Sequence, residues 1–208
     1  IVNTINCVGF MGKGLALEFA LRYPKLEEIY KKECAAHQIH TGVVYFYTID
    51  GQKIINFPTK FHFKHPSQME WIVSGLDHFV QQYKSWNIKS IAFPLLGSRN
   101  GGLDPDEVIN LIKTKLAPLD LDVMICLNKK PDRLSTQMLE LFNASKILAL
   151  SERFNLNKNQ TIELQKAQHK IKRFDELLAI KSIGLTTYKK LFDYFRYYKP
   201  ENEQLSLF

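Results

Sequence analysis

The sequence has no long hydrophobic run and few cysteines. No stretch approaches the roughly 18 uninterrupted apolar residues of a membrane-spanning helix, so we expect no membrane association. The N-terminal segment has no basic region followed by an apolar run, so it is not typical of a secretory signal. Cys7, Cys34 and Cys126 are far apart and form no C-x-x-C pair. This usage favours a reducing, cytoplasmic location over a disulfide framework.

The composition is that of a globular protein with an excess of positive charge. Of the 208 residues, 45% are hydrophobic and 24% charged, which argues against a wholly disordered chain. The length suits one ordinary domain with a small appendage. The net charge of +7 favours polyanionic partners. The chain starts in an apolar run without a Met, and we expect upstream residues, with part of a first strand, to precede Ile1.

Strand and helix signals alternate up to about residue 150, and helical signals alone follow. Alternation of this kind predicts an α/β sandwich with a mixed sheet. Ile49-Asp50-Gly51 between two β-branched and aromatic runs indicates a hairpin, and Asp104 before Pro105 indicates a helix cap. The predicted strands are Ile1–Ile5, Gly42–Thr48, Gln52–Phe57, Ile88–Pro94 and Leu121–Leu127. The predicted helices of this region are Gly14–Arg22, Lys25–His37, Ser67–Trp86 and Pro105–Leu116.

These signals predict three parts. We expect an α/β domain over residues 1–150, a basic helical region over residues 151–198 and a flexible tail over residues 199–208.

Three unusual segments each follow a predicted strand. The first loop, residues 6–14, reads NCVGFMGKG; the second loop, residues 97–102, reads GSRNGG; Pro58-Thr59-Lys60 follows the strand between them. Ligands of open α/β sheets bind at the carboxyl ends of the strands. Two glycine-rich loops there can point backbone N–H groups at a diphosphate. The spacing matches neither the dinucleotide fingerprint nor a Walker loop, and two tight turns that need glycine are the alternative.

The motifs IVNTINCVGFMGKGLALEF, KIINFPTK and IAFPLLGSRNGGLD, in this order, resemble the macrodomain family. Within it they are similar to the DarG-type branch of DNA ADP-ribosyl glycohydrolases. The resemblance spans about residues 1–127. It implies a three-layer α/β/α fold that binds ADP-ribose. We expect no cofactor and no bound metal.

The resemblance also implies roles for the motif residues. Asn6 would contact the distal ribose, Thr59 would lie at the ligand, and Lys60 would be the catalytic lysine. The ribose and the diphosphate would be surrounded by Gly9, Met11, Gly12, Lys13 and Gly14, and by Gly97, Ser98, Arg99, Asn100, Gly101 and Gly102.

Two positions depart from the family pattern. Arg99 places a bulky cation where glycine is common, and Pro105 replaces the usual Trp. The family's adenine-contacting acidic residue would lie upstream of Ile1.

The chemistry of Lys60 can be argued from its position. Cleavage at an anomeric carbon needs a proton donor, a nucleophile, or both. A partly desolvated lysine at a strand end can have its pKa lowered enough to act as either. Nearby phosphates would oppose that lowering, so a purely electrostatic role is an alternative. An exposed lysine after a strand, without a catalytic role, is the other.

Cations and aromatic rings follow Lys60. The stretch Lys60–His65 contains His62 and Lys64 among phenylalanines, and we predict that both contact a nucleic-acid strand. A solvated loop with partly buried Phe is the alternative. No cluster of Cys or carboxylates supplies the partners of a zinc site. Cys7 lies in the first loop, where we expect it to pack.

The helical region contains a pattern that resembles a helix–hairpin–helix motif. FDELLAIKSIGLTTYKKL is interpreted as helix, tight turn and helix, with the glycine at the turn and Thr186 or Thr187 opening the second helix. Such hairpins direct N–H groups and lysines at DNA phosphates. An ordinary αα-hairpin is the alternative. The predicted DNA-binding residues here are Lys181, Gly184, Lys189 and Lys190.

The chain ends in QLSLF, which resembles the pentapeptide by which bacterial proteins bind the sliding clamp. Apolar anchors on a polar tail suit a hydrophobic groove on a partner. Packing of the tail on its own domain is the alternative. The predicted clamp-binding residues are Gln204, Leu205, Leu207 and Phe208.

Together these features predict a hydrolase that removes ADP-ribose from a nucleobase in DNA, with thymine as the base by resemblance. Its expected partners are ADP-ribosylated DNA, ADP-ribose, a cognate ADP-ribosyltransferase toxin and the sliding clamp. It would act as an antitoxin or in DNA repair. The alternatives are a non-catalytic ADP-ribose reader tethered to the clamp and a hydrolase of protein-linked ADP-ribose.

Overall fold

A computed structural model describes residues 1–127 and 131–198. Contacts divide the chain into two compact units, Ile1–Lys129 and Lys130–Phe208. The division lies nearer to the N-terminus than the predicted boundary at residue 150, because the helices Arg133–Ala144 and Ile147–Phe154 pack with the later helices. Within the described residues, no helix is long and apolar enough to cross a membrane.

The first unit alternates strands and helices, as its sequence predicts. Its strands are β1 (Val2–Asn6), β2 (Tyr45–Ile49), β3 (Gln52–Lys60), β4 (Ser90–Pro94) and β5 (Asp122–Cys126). Its helices are α1 (Gly14–Arg22), α2 (Pro24–Ala35), α3 (Met69–Gln82) and α4 (Pro105–Leu116).

The strands form a mixed three-stranded sheet and a parallel two-stranded sheet, which meet at β1 and β4, with helices on both faces. β3 lies between β1, which is parallel to it, and the antiparallel β2, while β4 pairs in parallel with β5. Successive strand residues point to opposite faces. Ile55 accordingly packs with Ile72 of α3 and Val108 of α4, whereas Ile54 packs with Leu26 of α2. The three-layer α/β/α architecture with a mixed sheet is thus confirmed.

Two local predictions are confirmed by backbone geometry. Asp50 and Gly51 both have positive φ, at 50° and 78°, which is typical of the tight turn that joins two hairpin strands. The Asp104 side chain accepts hydrogen bonds from the backbone N–H groups of Asp106 and Glu107, at 2.8 and 3.0 Å. A side-chain oxygen at this position satisfies N–H groups that the first helical turn leaves unpaired.

β3 extends to Lys60, beyond the predicted end at Phe57. The extension exists because β1 pairs with β3 up to Asn6 and Lys60, with a register shift after Ile5. Pro58 is tolerated in this strand since β2 pairs with β3 only as far as Asn56. The N–H group that proline lacks is therefore not needed for a ladder on that side.

The second unit is helical throughout its described residues. It contains α5 (Arg133–Ala144), α6 (Ile147–Phe154), α7 (Lys158–Ala167), a 3₁₀ helix (Phe174–Ala179) and α8 (Leu185–Tyr197). Its core is aromatic: the Phe142 ring lies edge-on to those of Phe174 and Phe195, with centroid distances of 6.3 and 6.1 Å. Such pairs add about 0.5–1.5 kcal/mol to the stabilisation from burial. The predicted helical extension is confirmed.

The predicted hairpin differs in detail. Its first arm is the short 3₁₀ helix, and α8 begins at Leu185 rather than at Thr186 or Thr187. Gly184 is the N-cap residue with φ of −72° and ψ of 168°, an extended conformation open to any residue. The turn therefore does not require glycine.

Candidate functional site

The structure brings the three predicted segments together. The parallel register of β1 and β3 places Asn6 opposite Lys60. The Lys60 side chain reaches the second loop, where its Nζ donates a hydrogen bond to the backbone oxygen of Asn100. A Cβ atom at Gly14 would lie 3.1 Å from the Asn100 amide nitrogen, so the first loop also approaches the second. The candidate site is the space around these contacts.

Lys60 has the environment expected of a lysine with altered acidity. It is the last residue of β3 and is half-buried. Partial burial disfavours the charged form and lowers the pKa of the Lys60 ammonium. Its hydrogen-bond acceptor is a neutral carbonyl, which compensates the ammonium less than a carboxylate would. The amine form is therefore more accessible than in a free lysine.

The first loop is organised around the Asn6 side chain. Its Oδ1 accepts from the backbone N–H groups of Val8 and Phe10, at 3.0 and 3.4 Å, and its Nδ2 donates to the Phe10 oxygen at 2.7 Å. The buried Tyr30 hydroxyl donates to the Asn6 backbone oxygen at 2.8 Å and lies 3.0 Å from Oδ1. Asn6 thus holds the loop in shape, and its ribose contact stays a prediction.

Two residues of the first loop are core residues. The side chains of Met11 and Cys7 are buried in a cluster with Ile5 and Ala20. Met11 therefore anchors the loop through its side chain, and only its backbone remains to face a ligand. Burial raises the pKa of the Cys7 thiol to about 11, so this cysteine is a poor nucleophile at neutral pH. Its packing role is in line with the sequence analysis.

The second loop folds tightly over Ser67. A Cβ at Gly101 would lie 2.1 Å from the Gly97 oxygen and 2.2 Å from Ser67 Oγ, so only glycine fits there. The Ser67 backbone N–H donates to the Gly101 oxygen at 2.9 Å. Its buried hydroxyl has no hydrogen-bond partner within the described residues. Ser67 thus packs against the second loop and stabilises it through this hydrogen bond.

Both loops carry backbone N–H groups that have no hydrogen-bond acceptor among the described residues. In the second loop Ser98, Gly102 and Leu103 donate to carbonyls of residues 95–98, whereas Arg99, Asn100 and Gly101 find no acceptor in the described chain. In the first loop, Gly12, Lys13 and Gly14 are likewise without one. Lys13 is the N-cap of α1, and its side chain makes no cap hydrogen bond. Free N–H groups of this kind are donors suited to phosphate oxygens.

The remaining ligand positions differ in exposure. Thr59 is buried at the end of β3, and Ser98 is half-buried, with its hydroxyl 3.3 Å from the Leu96 oxygen. Arg99 is exposed, and its guanidinium donates to the Leu127 oxygen at the end of β5, at 3.5 Å. The Arg99 side chain therefore extends from the second loop towards the residue that follows β5.

Aromatic rings and cations follow Lys60 on the surface. The His62 and Phe63 rings are stacked with centroids 4.4 Å apart, and the His62 and His65 centroids are 5.3 Å apart. Lys64 Nζ lies 5.9 Å from the Phe63 centroid. Phe10 of the first loop joins this group, since its ring centroid is 4.6 Å from that of Phe63. The sequence did not identify the Phe10 contact, because it joins two loops distant in the chain.

Of the predicted DNA-binding residues of the second unit, Lys181 and Gly184 lie in the turn before α8, and Lys189 and Lys190 lie within α8. Lys181, Gly184 and Lys190 are exposed, and Lys189 is half-buried. The Gln160 amide nitrogen on α7 donates to the Ser182 oxygen at 3.1 Å and to Thr187 Oγ1 at 3.2 Å, which fixes the turn. The predicted clamp-binding residues Gln204, Leu205, Leu207 and Phe208 lie outside the described residues.

Sequence reasoning missed the residues that shape the loops. Tyr30, Ser67 and Phe10 were not among the predicted site residues. Tyr30, on α2, donates to Asn6 of the first loop, and Ser67, just before α3, donates to Gly101 of the second loop. No local motif marks either residue.

A mixed sheet between helical layers, with a lysine between two glycine loops at the strand ends, defines a macrodomain-type ligand site. A family profile agrees: the Macro domain matches residues 2–112. The chain therefore belongs to the Macro domain family.

Curated relatives extend the likeness. Over 130 residues the chain is 42% identical to the DNA ADP-ribosyl glycohydrolase of Mycobacterium tuberculosis, covering 60% of this chain and 37% of that relative. It is 40% identical over 124 residues to the Thermus aquaticus protein of the same name, covering 58% and 34%. The chain thus spans little more than a third of the length of these relatives.

Solved structures are similar over the same region. The macrodomain of Mycobacterium tuberculosis DarG superimposes with a TM-score of 0.58 at 40% identity, covering 60% of this chain and 85% of that one. Thermosipho africanus DarTG in complex with ADP-ribose gives a TM-score of 0.58 at 32% identity, covering 63% and 39%.

Proposed function

We propose that the first unit binds ADP-ribose and hydrolyses the N-glycosidic bond that joins it to a nucleobase in DNA, with thymine as the base. The observation that carries the proposal is the position of Lys60, between two glycine loops and with a lowered pKa. The names of the relatives in Mycobacterium tuberculosis and Thermus aquaticus support this activity.

The two loops would hold the diphosphate. The N–H groups of Gly12 to Gly14 and of Arg99 to Gly101 supply donors, and Lys13 and Lys60 supply positive charge. Charge-assisted hydrogen bonds to an anion are roughly twice as strong as neutral ones. On binding, the Lys60 ammonium would either leave the Asn100 oxygen for the diphosphate or contact the diphosphate while it keeps that hydrogen bond.

In the reaction, the bond between the distal ribose C1 and the base nitrogen breaks, and C1 gains a hydroxyl from water. The base nitrogen takes up the other proton of that water. Lys60 can contribute in two ways. Its amine can attack C1, forming a carbon–nitrogen bond that water later cleaves, or its ammonium can protonate and stabilise the departing base.

We propose DNA-contacting residues in each unit. In the first unit, His62 and Lys64 follow Lys60 in sequence. In the second unit, Lys181 precedes the Gly184 turn, and Lys189 and Lys190 lie in α8. Phosphate contacts by lysines are independent of sequence and weaken steeply with salt. Replacing Lys181, Lys189 and Lys190 by alanine should reduce the slope of log K against log salt by up to about 3 on the rule of roughly one unit per contact. An unchanged slope would exclude these lysines.

The biological role we propose is reversal of a DNA ADP-ribosyltransferase toxin, or repair of its lesions. The Thermosipho africanus relative is named a fusion of such a transferase and a glycohydrolase, and it is 34% identical over 143 residues. Binding of QLSLF to a sliding clamp remains a prediction. Loss of co-purification with the clamp on changing Leu205, Leu207 and Phe208 to alanine would test it.

The deciding experiment is incubation of the protein with a single-stranded oligonucleotide that carries one ADP-ribosylated thymidine. Gel shift and mass spectrometry follow the loss of ADP-ribose. Lys60→Ala should lower the rate at least about 100-fold, the usual minimum for an acid–base group, while ADP-ribose binding persists. Lys53→Ala, at the opposite end of the same strand, is the matched control.

The outcomes separate the alternatives. Binding of the modified strand without release of ADP-ribose would favour a reader. Release from ADP-ribosylated protein but not from DNA would favour the protein hydrolase. Full turnover by Lys60→Ala would remove the lysine from the mechanism.

A further inference from the structure

We infer that Phe10 and Phe63 form a stacking platform for the nucleobase next to the modified nucleotide. The inference rests on the proposed function, because it concerns the strand that carries the ADP-ribose. Two phenylalanine rings, from the first loop and from the loop after Lys60, pack against each other with centroids 4.6 Å apart and planes inclined at 43°. Both are exposed, at 45% and 39%.

The platform is anchored at both ends. The Phe10 backbone is held through its N–H and its oxygen by the Asn6 side chain. Its ring lies directly on Gly12, where a Cβ would come within 2.1 Å of the ring. On the other side, the Lys64 N–H donates to His62 Nδ1 at 3.2 Å and the His65 N–H donates to the His62 oxygen at 3.1 Å. Neither ring has to be ordered on binding, which lowers the entropic cost.

The surrounding charges select the occupant. Lys64 Nζ lies over the Phe63 ring, 5.9 Å from its centroid, while Lys13 belongs to the first loop and Lys60 ends the strand before Phe63. Exposed aromatic rings beside cations are the arrangement by which proteins hold single-stranded nucleic acid, because bases stack while phosphates meet the cations. An apolar protein partner would not use these charges. The occupant we commit to is a nucleobase of the same strand.

The platform predicts a preference for a strand over an isolated nucleoside. Stacking adds about 1–3 kcal/mol per base, so kcat/KM should be about 5- to 150-fold higher for an ADP-ribosylated oligonucleotide than for ADP-ribosylated thymidine alone. The gain should appear in KM, since stacking does not touch the reacting carbon.

The test compares these two substrates with Phe63→Leu, which removes the planar ring and keeps its apolar bulk. We expect about a tenfold loss of kcat/KM for the oligonucleotide and less than about a twofold change for the nucleoside. Phe63→Tyr should restore the oligonucleotide rate. Equal losses for both substrates, or none for either, would overturn the inference.

Phe61→Leu is the matched control. Its ring is 59% exposed, follows Lys60 directly and makes no ring contact within the described residues. The inference expects a smaller effect of this substitution on the oligonucleotide. An effect equal to that of Phe63→Leu would show that apolar bulk near Lys60, rather than the ring pair, is what matters, and would overturn the platform.

A second measurement separates this inference from the proposed activity. An unmodified short oligonucleotide that contains 2-aminopurine should lose fluorescence on binding the wild type, and the loss should be weaker with Phe63→Leu. Ring-dependent quenching without hydrolysis of either substrate would contradict the proposed function and keep the platform. Hydrolysis without such quenching would support the proposed function and contradict the platform. Quenching that Phe63→Leu leaves unchanged would also contradict the platform, and it is the result expected if the rings bind a protein partner.

Discussion

The Lys60 ammonium donates a hydrogen bond to the backbone oxygen of Asn100, which joins the end of β3 to the second glycine loop. The contact fixes where the lysine lies relative to both loops. It also satisfies one of the three N–H donors of a group that is partly removed from water.

The pH dependence of the rate distinguishes the two roles of Lys60. Partial burial lowers the pKa of its ammonium from the ordinary 10.5, so the amine form gains population as the pH rises through the lowered value. A nucleophilic amine predicts a kcat that increases over this range and then levels off. A required ammonium predicts a kcat that falls over the same range. We expect the increase.

The measurement is kcat from neutral pH to about pH 10 with the ADP-ribosylated oligonucleotide. Any residual rate of Lys60→Ala should lack this increase of kcat with pH. An increase that persists in Lys60→Ala would assign the titration to another group.

Gly101→Ala should disrupt the second loop. The new Cβ would meet the Gly97 oxygen at 2.1 Å and Ser67 Oγ at 2.2 Å, so the loop must shift. Overpacking of this kind costs about 1–3 kcal/mol, and ADP-ribose affinity should fall by at least about fivefold. Calorimetric titration with ADP-ribose measures the affinity. Adding Ser67→Ala should not rescue binding, because the clash with Gly97 remains; wild-type affinity of either variant would contradict this account.

Ser67→Ala alone should leave the protein as stable as the wild type or stabilise it by about 1 kcal/mol. The Ser67 hydroxyl is buried without a partner among the described residues, and burial of an unpaired polar group costs about 1–3 kcal/mol. The small cavity left by the oxygen offsets part of the gain. Urea unfolding gives the free energy. A loss greater than about 1 kcal/mol would indicate that the hydroxyl has a partner after all.

Tyr30→Phe should loosen the first loop. Its hydroxyl donates to Asn6, the residue that orders the loop, and burial raises the pKa of this phenol, so it stays protonated. Loss of a buried donor costs about 1–2 kcal/mol of unfolding free energy. ADP-ribose affinity should fall as well, because the loop is less ordered before binding. Urea unfolding and calorimetric titration check both expectations, and an unchanged affinity would separate Tyr30 from the site.

Local patterns predicted the parts of the fold that depend on local physics. The Asp50-Gly51 hairpin and the Asp104 cap follow from backbone preferences of neighbouring residues. The expected grouping of the three strand-end segments followed from the rule that ligands of open α/β sheets bind at the carboxyl ends of the strands. The contacts between Lys60 and Asn100 and between Tyr30 and Asn6 join residues 40 and 24 positions apart, and no pattern encodes such distances.

Two differences have the same origin. β3 extends to Lys60 because β1 supplies a partner. The helical unit includes α5 because Phe142 packs on Phe174 and Phe195, and it includes α6 because the Phe154 ring contacts that of Tyr194. Packing across the chain overrides local signals at element and domain boundaries. Gly184 illustrates the converse, since a glycine in the sequence does not establish a positive φ in the fold.

Pro58 gives β3 two mechanically different halves. Up to Asn56 the strand is held from both sides, and beyond it only β1 remains as a ladder partner. β1 also leads directly into the first loop. The first loop and Lys60 are therefore joined through one strand pair, so a substitution in β1 bears on both. β2 is not independent of the loop, because its Tyr45 packs against the cluster that buries Cys7 and Met11.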